Sequence, residues 1–124
     1  MERDRYKGVP LGELRIEGVI WTPGRAAHIR TRTVRYSSGE TNLEPEWADE
    51  AALDEERIVA VTGEKEETSS LKVVGYSHSL DRLLKVWIWS DEPQTSEVWN
   101  GGSATVANDS DRRRYEAGTR EHGN

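Results

Sequence analysis

The chain has no cysteine and no phenylalanine, one methionine and four prolines among its 124 residues. Without cysteine there is no disulfide, no zinc–thiolate centre and no thiol nucleophile. Leu, Ile and Val together number 23, about 19% of the chain, so a large aliphatic core is also missing. With 32% charged residues, the composition borders that of disordered chains. No apolar run approaches the ~20 residues of a membrane-spanning helix, and no secretory h-region is present. The expectation is a cytoplasmic protein with no membrane partner.

Tryptophan and tyrosine supply what the aliphatic residues do not. There are five Trp and four Tyr, and each ring buries roughly 150–250 Å² when packed. They carry the expectation of one small folded domain over residues 11–118, with flexible termini at 1–10 and 119–124. The net charge of −6 is unevenly placed. Residues 1–35 are basic on balance, whereas residues 36–67 hold eleven acidic and two basic side chains. The pI near 5.1 argues against a large nucleic-acid footprint. Arg25, Arg30, Arg32 and Arg35 nevertheless form a compact basic stripe.

Residues 13–21 alternate apolar and charged at Leu14 to Glu17 and read as a short strand broken at Gly18. Thr22-Pro23 has the form of a helix start, with Thr as N-cap and Pro at the first helical position, and predicts a basic helix over Arg25 to Thr33. Glu44-Pro45-Glu46 opens a second, acidic helix, with Trp47 and Ala51 inward and Asp49, Glu50 and Asp54 outward. From Arg57 the period moves toward 2. Ile58 to Thr62 reads as a strand, Gly63 to Glu67 as a solvated turn, and Ser70 to Ser77 with Leu83 to Trp89 as an antiparallel hairpin. Alternation puts Leu83, Lys85, Trp87 and Trp89 on one face, and Lys72, Val74, Tyr76 and His78 on one face of the other strand. Whether these faces coincide depends on a register the sequence leaves open. Trp99 to Gly102 reads as a turn, Ser103 to Ala107 as a short strand, and Arg112 to Ala117 as a final helix that ends near Gly118. The fold class is α+β: N-terminal helices packed on an antiparallel sheet of about four strands, with a short C-terminal helix.

The histidines at 28, 78 and 122 have no metal-ligand spacing, and there is no phosphate-cradling glycine loop and no nucleophile elbow. No metal and no cofactor is expected. What remains is a set of Arg, Lys, His, Tyr and Trp residues on separate elements, which suits RNA: rings stack unpaired bases while cations meet phosphate. Cleaving RNA without a metal needs a base near the 2′-hydroxyl, positive charge for the phosphorane and an acid for the leaving 5′-oxygen. A scaffold reading of the same residues stands beside this one, with Trp87 and Trp89 in a core or under a partner and Arg112 to Arg114 on a solvated helix.

The stretch Trp21…His28-Ile29-Arg30…Val34 resembles the first-helix pattern of small BrnT-like toxins of the RelE/ParE superfamily. An acidic second helix, an antiparallel sheet and an ending like Ala104…Ala107…Asp111-Arg112-Arg113-Arg114-Tyr115 continue the likeness over about residues 16–116. The resemblance implies an endoribonuclease toxin that inhibits translation and is neutralised by a cognate ribbon-helix-helix antitoxin. In that frame the catalytic set is His28, Arg32, Lys85, Arg112 and Tyr115, with His28 or His78 moving protons. Arg30, Tyr76, His78, Trp87, Trp89 and Arg114 form the RNA-binding set. The chain departs from the pattern in three places. Thr105 stands where the family has an arginine, Arg32-Thr33 replaces a His-Gly pair, and an insertion over roughly 35–44 separates the helices. Whether cleavage survives turns on Thr105. The alternative is a non-catalytic protein-binding module that keeps the fold, in its simplest form a homodimer through the strand bearing Trp87 and Trp89.

Overall fold

A computed structural model describes residues 4–36, 40–63 and 69–122. Along the chain, β1 (Arg5–Tyr6) and β2 (Val9–Pro10) form a small hairpin, followed by a 3-10 turn (Leu11–Glu13) and β3 (Gly18–Ile20). Then come α1 (Pro23–Arg30), α2 (Arg32–Arg35) and α3 (Pro45–Ala52). Strands β4 (Ile58–Thr62), β5 (Ser70–Ser77), β6 (Arg82–Trp89) and β7 (Val98–Val106) lead to α4 (Asp109–His122). The main sheet has five strands in the order β3-β7-β6-β5-β4. It is mixed: β3 runs parallel to β7 and every other pair is antiparallel.

The α+β class and the β5–β6 hairpin follow the sequence reading, but several elements differ from it. The sheet has five strands instead of about four, and of the stretch 13–21 read as a strand broken at Gly18 only Gly18–Ile20 joins it, beside a partner some eighty positions away on β7. Tyr6 draws the opening segment into a hairpin instead of a loose end. Its ring is fully buried 5.5 Å from Trp99, and its hydroxyl sits between the Ser69 and Ser90 carbonyls at 3.2 and 3.4 Å. Thr22 does cap α1, accepting the Arg25 N–H, but the helix breaks at Thr31, so Arg32 belongs to α2. The Thr31 hydroxyl bonds back to the Ala27 carbonyl at 2.7 Å, a contact that competes with helix continuation.

Trp99 to Gly102 is not a turn but part of a nine-residue β7. A β-carbon on Gly101 would lie 2.5–2.7 Å from the Trp21 ring, so this glycine makes room for an indole and opens no loop. α4 begins at Asp109 and continues past Gly118 to His122. The turn expected at Gly63 to Glu67 falls, apart from Gly63, outside the described residues, as do positions 37–39 of the loop after α2.

One sheet face carries the core. Leu71 and Val73 of β5 meet Ile88 and Val86 of β6 in register, and all four are buried with Leu84, Ala104 and Trp99. α3 covers this face through Ala48, Ala51 and Ala52. With only methyl groups between them, helix and sheet approach closely. At Gly75, opposite Leu84, a β-carbon would sit 1.9 Å from the Ala51 carbonyl oxygen. That oxygen is backbone and has nowhere to go. Gly75→Ala is expected to destabilise the fold by about 3 kcal/mol, the upper end for overpacking. Gly24→Ala, in α1 with no atom within 4 Å of the new methyl, is expected to leave stability equal or raised by up to ~1 kcal/mol. Urea unfolding of the two variants checks this, and equal midpoints would show that α3 has room to withdraw.

Candidate functional site

The opposite sheet face is polar, and its composition follows from the register. Lys72 pairs with Trp87, Val74 with Lys85 and Tyr76 with Leu83. Directly paired residues of an antiparallel ladder project to the same side. Lys72, Tyr76, Lys85, Trp87 and Trp89 therefore share one face, which the sequence left undecided. On β7, Thr105 and Ser103 join them opposite Lys85 and Trp87. The Lys85 ammonium lies 5.4 Å from the Trp87 ring centroid, within cation–π range.

α4 crosses this face, and polar groups lead its described contacts with the sheet. Asn108 is its N-cap: the Asn108 side chain accepts the Asp111 N–H at 2.9 Å, and Asp111 accepts the Asn108 N–H at 3.2 Å. This is a reciprocal capping box with Asp in the third position. The same Asp111 carboxylate, 3% exposed, reaches the sheet and takes Lys85 at 3.1 Å and Lys72 at 3.4 Å. Burial pushes its pKa up, but the Asn108 N–H and the two lysines outweigh burial and hold it below the ordinary carboxylate range. One turn on, the Tyr115 hydroxyl donates to Asp54 at 2.6 Å, and the same Asp54 oxygen accepts the Tyr76 N–H at 2.9 Å. Burial, then Asp54, pushes the Tyr115 phenol far above its ordinary value, so it stays a protonated donor. Arg112, Arg113 and Arg114 are exposed and make no ion pair among the described residues. Beside this ion-pair cluster a cavity of about 670 Å³ opens toward β4, and its charged lining is Asp4, Lys72, Asp111 and Arg114.

A second group of cations lies along the outer edge of β7. Arg25 donates to the Gly102 carbonyl at 3.4 Å, and Arg32 pairs with Glu40 at 2.9 Å. Thr105 donates to the same Glu40 oxygen at 3.4 Å. Arg32 is 8% exposed and lies 4.8 Å from the Tyr36 ring centroid. His28 stands among these groups, and its backbone carbonyl accepts from Arg35. Burial first, then Arg35, Arg32 and Arg25, lowers the His28 pKa, so the imidazole is neutral at pH 7.

Thus Lys85, Trp87 and Trp89 lie on one face, and α4 brings Arg112, Arg114 and Tyr115 to the same side. His28 and Arg32 stand at its rim along β7, with Thr105 and Glu40 linking Arg32 to the strand position opposite Lys85. Three expected members sit apart. Arg30 turns to Glu44 at 2.9 Å. The Tyr76 hydroxyl bonds Asp81, and the Tyr76 ring meets His78 edge-on at 5.2 Å near the hairpin turn.

The sequence reading passed over Lys72, Asp111, Glu40 and Asp54 as site groups. For Asp111 a signal was available in the Asn-x-x-Asp spacing. Asp49, Glu50 and Asp54, expected to point outward, instead hold Trp21 (2.9 Å), Ser77 and Ser79 (2.7 Å each), and Tyr76 with Tyr115. No protein-family model and no curated protein matches this chain.

The depressed pKa of Asp111 gives a signed pH dependence. Its charge stabilises the fold above the unfolded value of about 3.9, and that stabilisation is lost as pH falls through the lower folded value. Asp111→Asn keeps an acceptor for the cap but removes the charge. It is expected to cost about 2 kcal/mol near neutral pH, a gap that closes below about pH 4. Thermal melts of both proteins across this range are the check, and a gap that persists unchanged into acid would discard the ion pair as the anchor of α4.

Proposed function

We propose that this chain acts on single-stranded RNA in the manner of a BrnT-like toxin, cleaving it without a metal ion and halting translation, with a ribbon-helix-helix antitoxin as its partner. The reading is carried by the β5–β6 register, which puts two lysines and two tryptophans on one sheet face under an arginine-bearing helix. Exposed rings stack unpaired bases at about 1–3 kcal/mol each, and Lys and Arg meet the phosphates.

At the β7 rim the neutral His28 takes the proton of a 2′-hydroxyl. Arg32 and Lys85 stabilise the negative charge that grows on the phosphoryl oxygens as the 2′-oxygen attacks, and the 5′-oxygen leaves with the proton that the His28 imidazolium returns. Arg32 stands in for the arginine missing at position 105, since it and Thr105 share Glu40. Arg112 and Arg114 extend the positive surface along α4, and Tyr115 fixes that helix through Asp54.

One observation favours the non-catalytic reading. Ile20, Val98 and Trp89 are 60%, 49% and 38% exposed and share the α4 side of the sheet, because Gly18–Ile20 pairs with Val98–Asn100 and Asn100 with Trp89. Three large apolar side chains together mark a protein contact, and a second copy of the chain is the simplest occupant.

Brief induction of the chain alone in a bacterium, with radiolabelled methionine incorporation followed over the first minutes, separates the two. Wild type is expected to arrest synthesis rapidly, and Lys85→Ala/Arg112→Ala at equal soluble expression is expected to relieve the arrest. Undisturbed synthesis with abundant folded wild-type protein removes the toxin reading. A dimer in sedimentation that Trp89→Ser dissociates would then establish the binding module.

A further inference from the structure

Lys72 and Lys85 have one carboxylate between them. Among the described residues Asp111 is the ion-pair partner of both, so the cluster keeps one uncompensated positive charge although both ammonium-bearing side chains are mostly buried. A partly desolvated pair of lysines with a net charge of +1 is the electrostatic outline of an anion site. The helix that closes it is held in an unusual way. α4 has no buried apolar side chain over residues 109–118; Asp111 is its one buried residue, and Tyr115 and Gly118 are half-buried. Over the same residues its attachment includes two polar clasps, Asp111 on the lysines and Tyr115 on Asp54, with Gly118 against Ile58. A helix seated in a hydrophobic core stays when one contact is lost. A helix on ionic clasps yields to a competing anion, because the lysines exchange one oxyanion for another.

We infer that Lys72 and Lys85 form a phosphate-binding site, and that Asp111 fills it in the free chain as an internal stand-in for a phosphoryl group. This rests on the RNA reading above and deepens it by saying how the phosphate subsite is closed. The ligand class is a phosphodiester or polyphosphate. It enters through the cavity that reaches Lys72, Asp111 and Arg114, displaces the carboxylate and lifts the first turns of α4 from the sheet. Arg114, on the cavity wall and without an ion-pair partner among the described residues, supplies a third cation once Asp111 has left.

Calorimetric titration with inorganic tripolyphosphate, paired with hydrogen exchange over residues 109–118, tests the site. Asp111→Asn is expected to bind tripolyphosphate roughly tenfold more tightly than wild type, the effect of removing one competing contact of about 1.4 kcal/mol. Lys72→Gln added to it is expected to erase the gain. Asp109→Asn, an exposed change of the same charge on the same turn, is expected to leave affinity where it was. In wild type, saturating tripolyphosphate should speed exchange in α4 and leave β5 and β6 protected. Tyr115→Phe loosens the second clasp with the lysine pair intact and is expected to raise affinity as well, so the test holds if Asp111→Asn folds poorly.

Equal binding by wild type, Asp111→Asn and Tyr115→Phe would overturn the inference, and so would a gain that survives Lys72→Gln. A uridine octamer run in parallel separates the two readings. Gain with tripolyphosphate but no octamer binding by any variant keeps the anion site and removes RNA as its ligand. Tight octamer binding that ignores Asp111→Asn removes the clasp and keeps the RNA surface.

Discussion

The carbonyl oxygen of Ala51 occupies the space that a side chain on residue 75 would need. That close approach of α3 to β5 sets where much else can be. Because the helix sits low on the sheet, its acidic residues reach sheet partners instead of water. Asp49 meets the Trp21 indole, Glu50 the Ser77 and Ser79 hydroxyls, and Asp54 the Tyr76 amide just beyond the start of β4. Through Asp54 the constraint passes to the other side of the sheet, since Tyr115 of α4 donates to the same carboxylate oxygen. A chain short of Leu, Ile and Val thus positions its elements with Ala, Gly and directed carboxylates, and concentrates its large apolar volume in Trp99 and Tyr6.

The more buried cations of the candidate site are met by acids from outside the main sheet. Arg32 has Glu40 from the α2–α3 connection, and Lys72 with Lys85 has Asp111 from α4. The overall acidity that counts against a nucleic-acid footprint is therefore partly spent within the molecule, on the residues that would otherwise form that footprint. Net charge averages over this arrangement. What bears on a polyanion is how easily each carboxylate leaves its partner, and that depends on the packing of the segment that carries it.

The β5–β6 hairpin, β4, the N-cap of α1 and the start of α3 were legible because each is written locally: alternation, Thr-Pro, Glu-Pro. The parallel β3–β7 pair was not, since a strand of Gly18, Val19 and Ile20 carries no mark of a distant partner. Gly101 was misread because a glycine beside another glycine signals a turn equally well as room for an indole. The shared face of Lys72 and Lys85 needed the register, which alternation within each strand does not give. Once that register is known, the Trp and Lys residues chosen by type fall together, whereas Arg30 and His78, chosen the same way, lie beside Glu44 and the hairpin turn.

The N- and C-terminal thirds of the chain are bound to each other. Tyr6 needs Ser90, the Trp99 indole needs the Arg15 carbonyl, and β3 needs Val98 to Asn100, contacts that span up to 84 residues. Such non-local pairings close late, after the hairpins between β4 and β7 have formed. β3 has no sheet neighbour until Val98 to Asn100 are in place. β5 and β6 can therefore pair and present their lysine face before α4, which follows β7 in the chain, brings Asp111 over it.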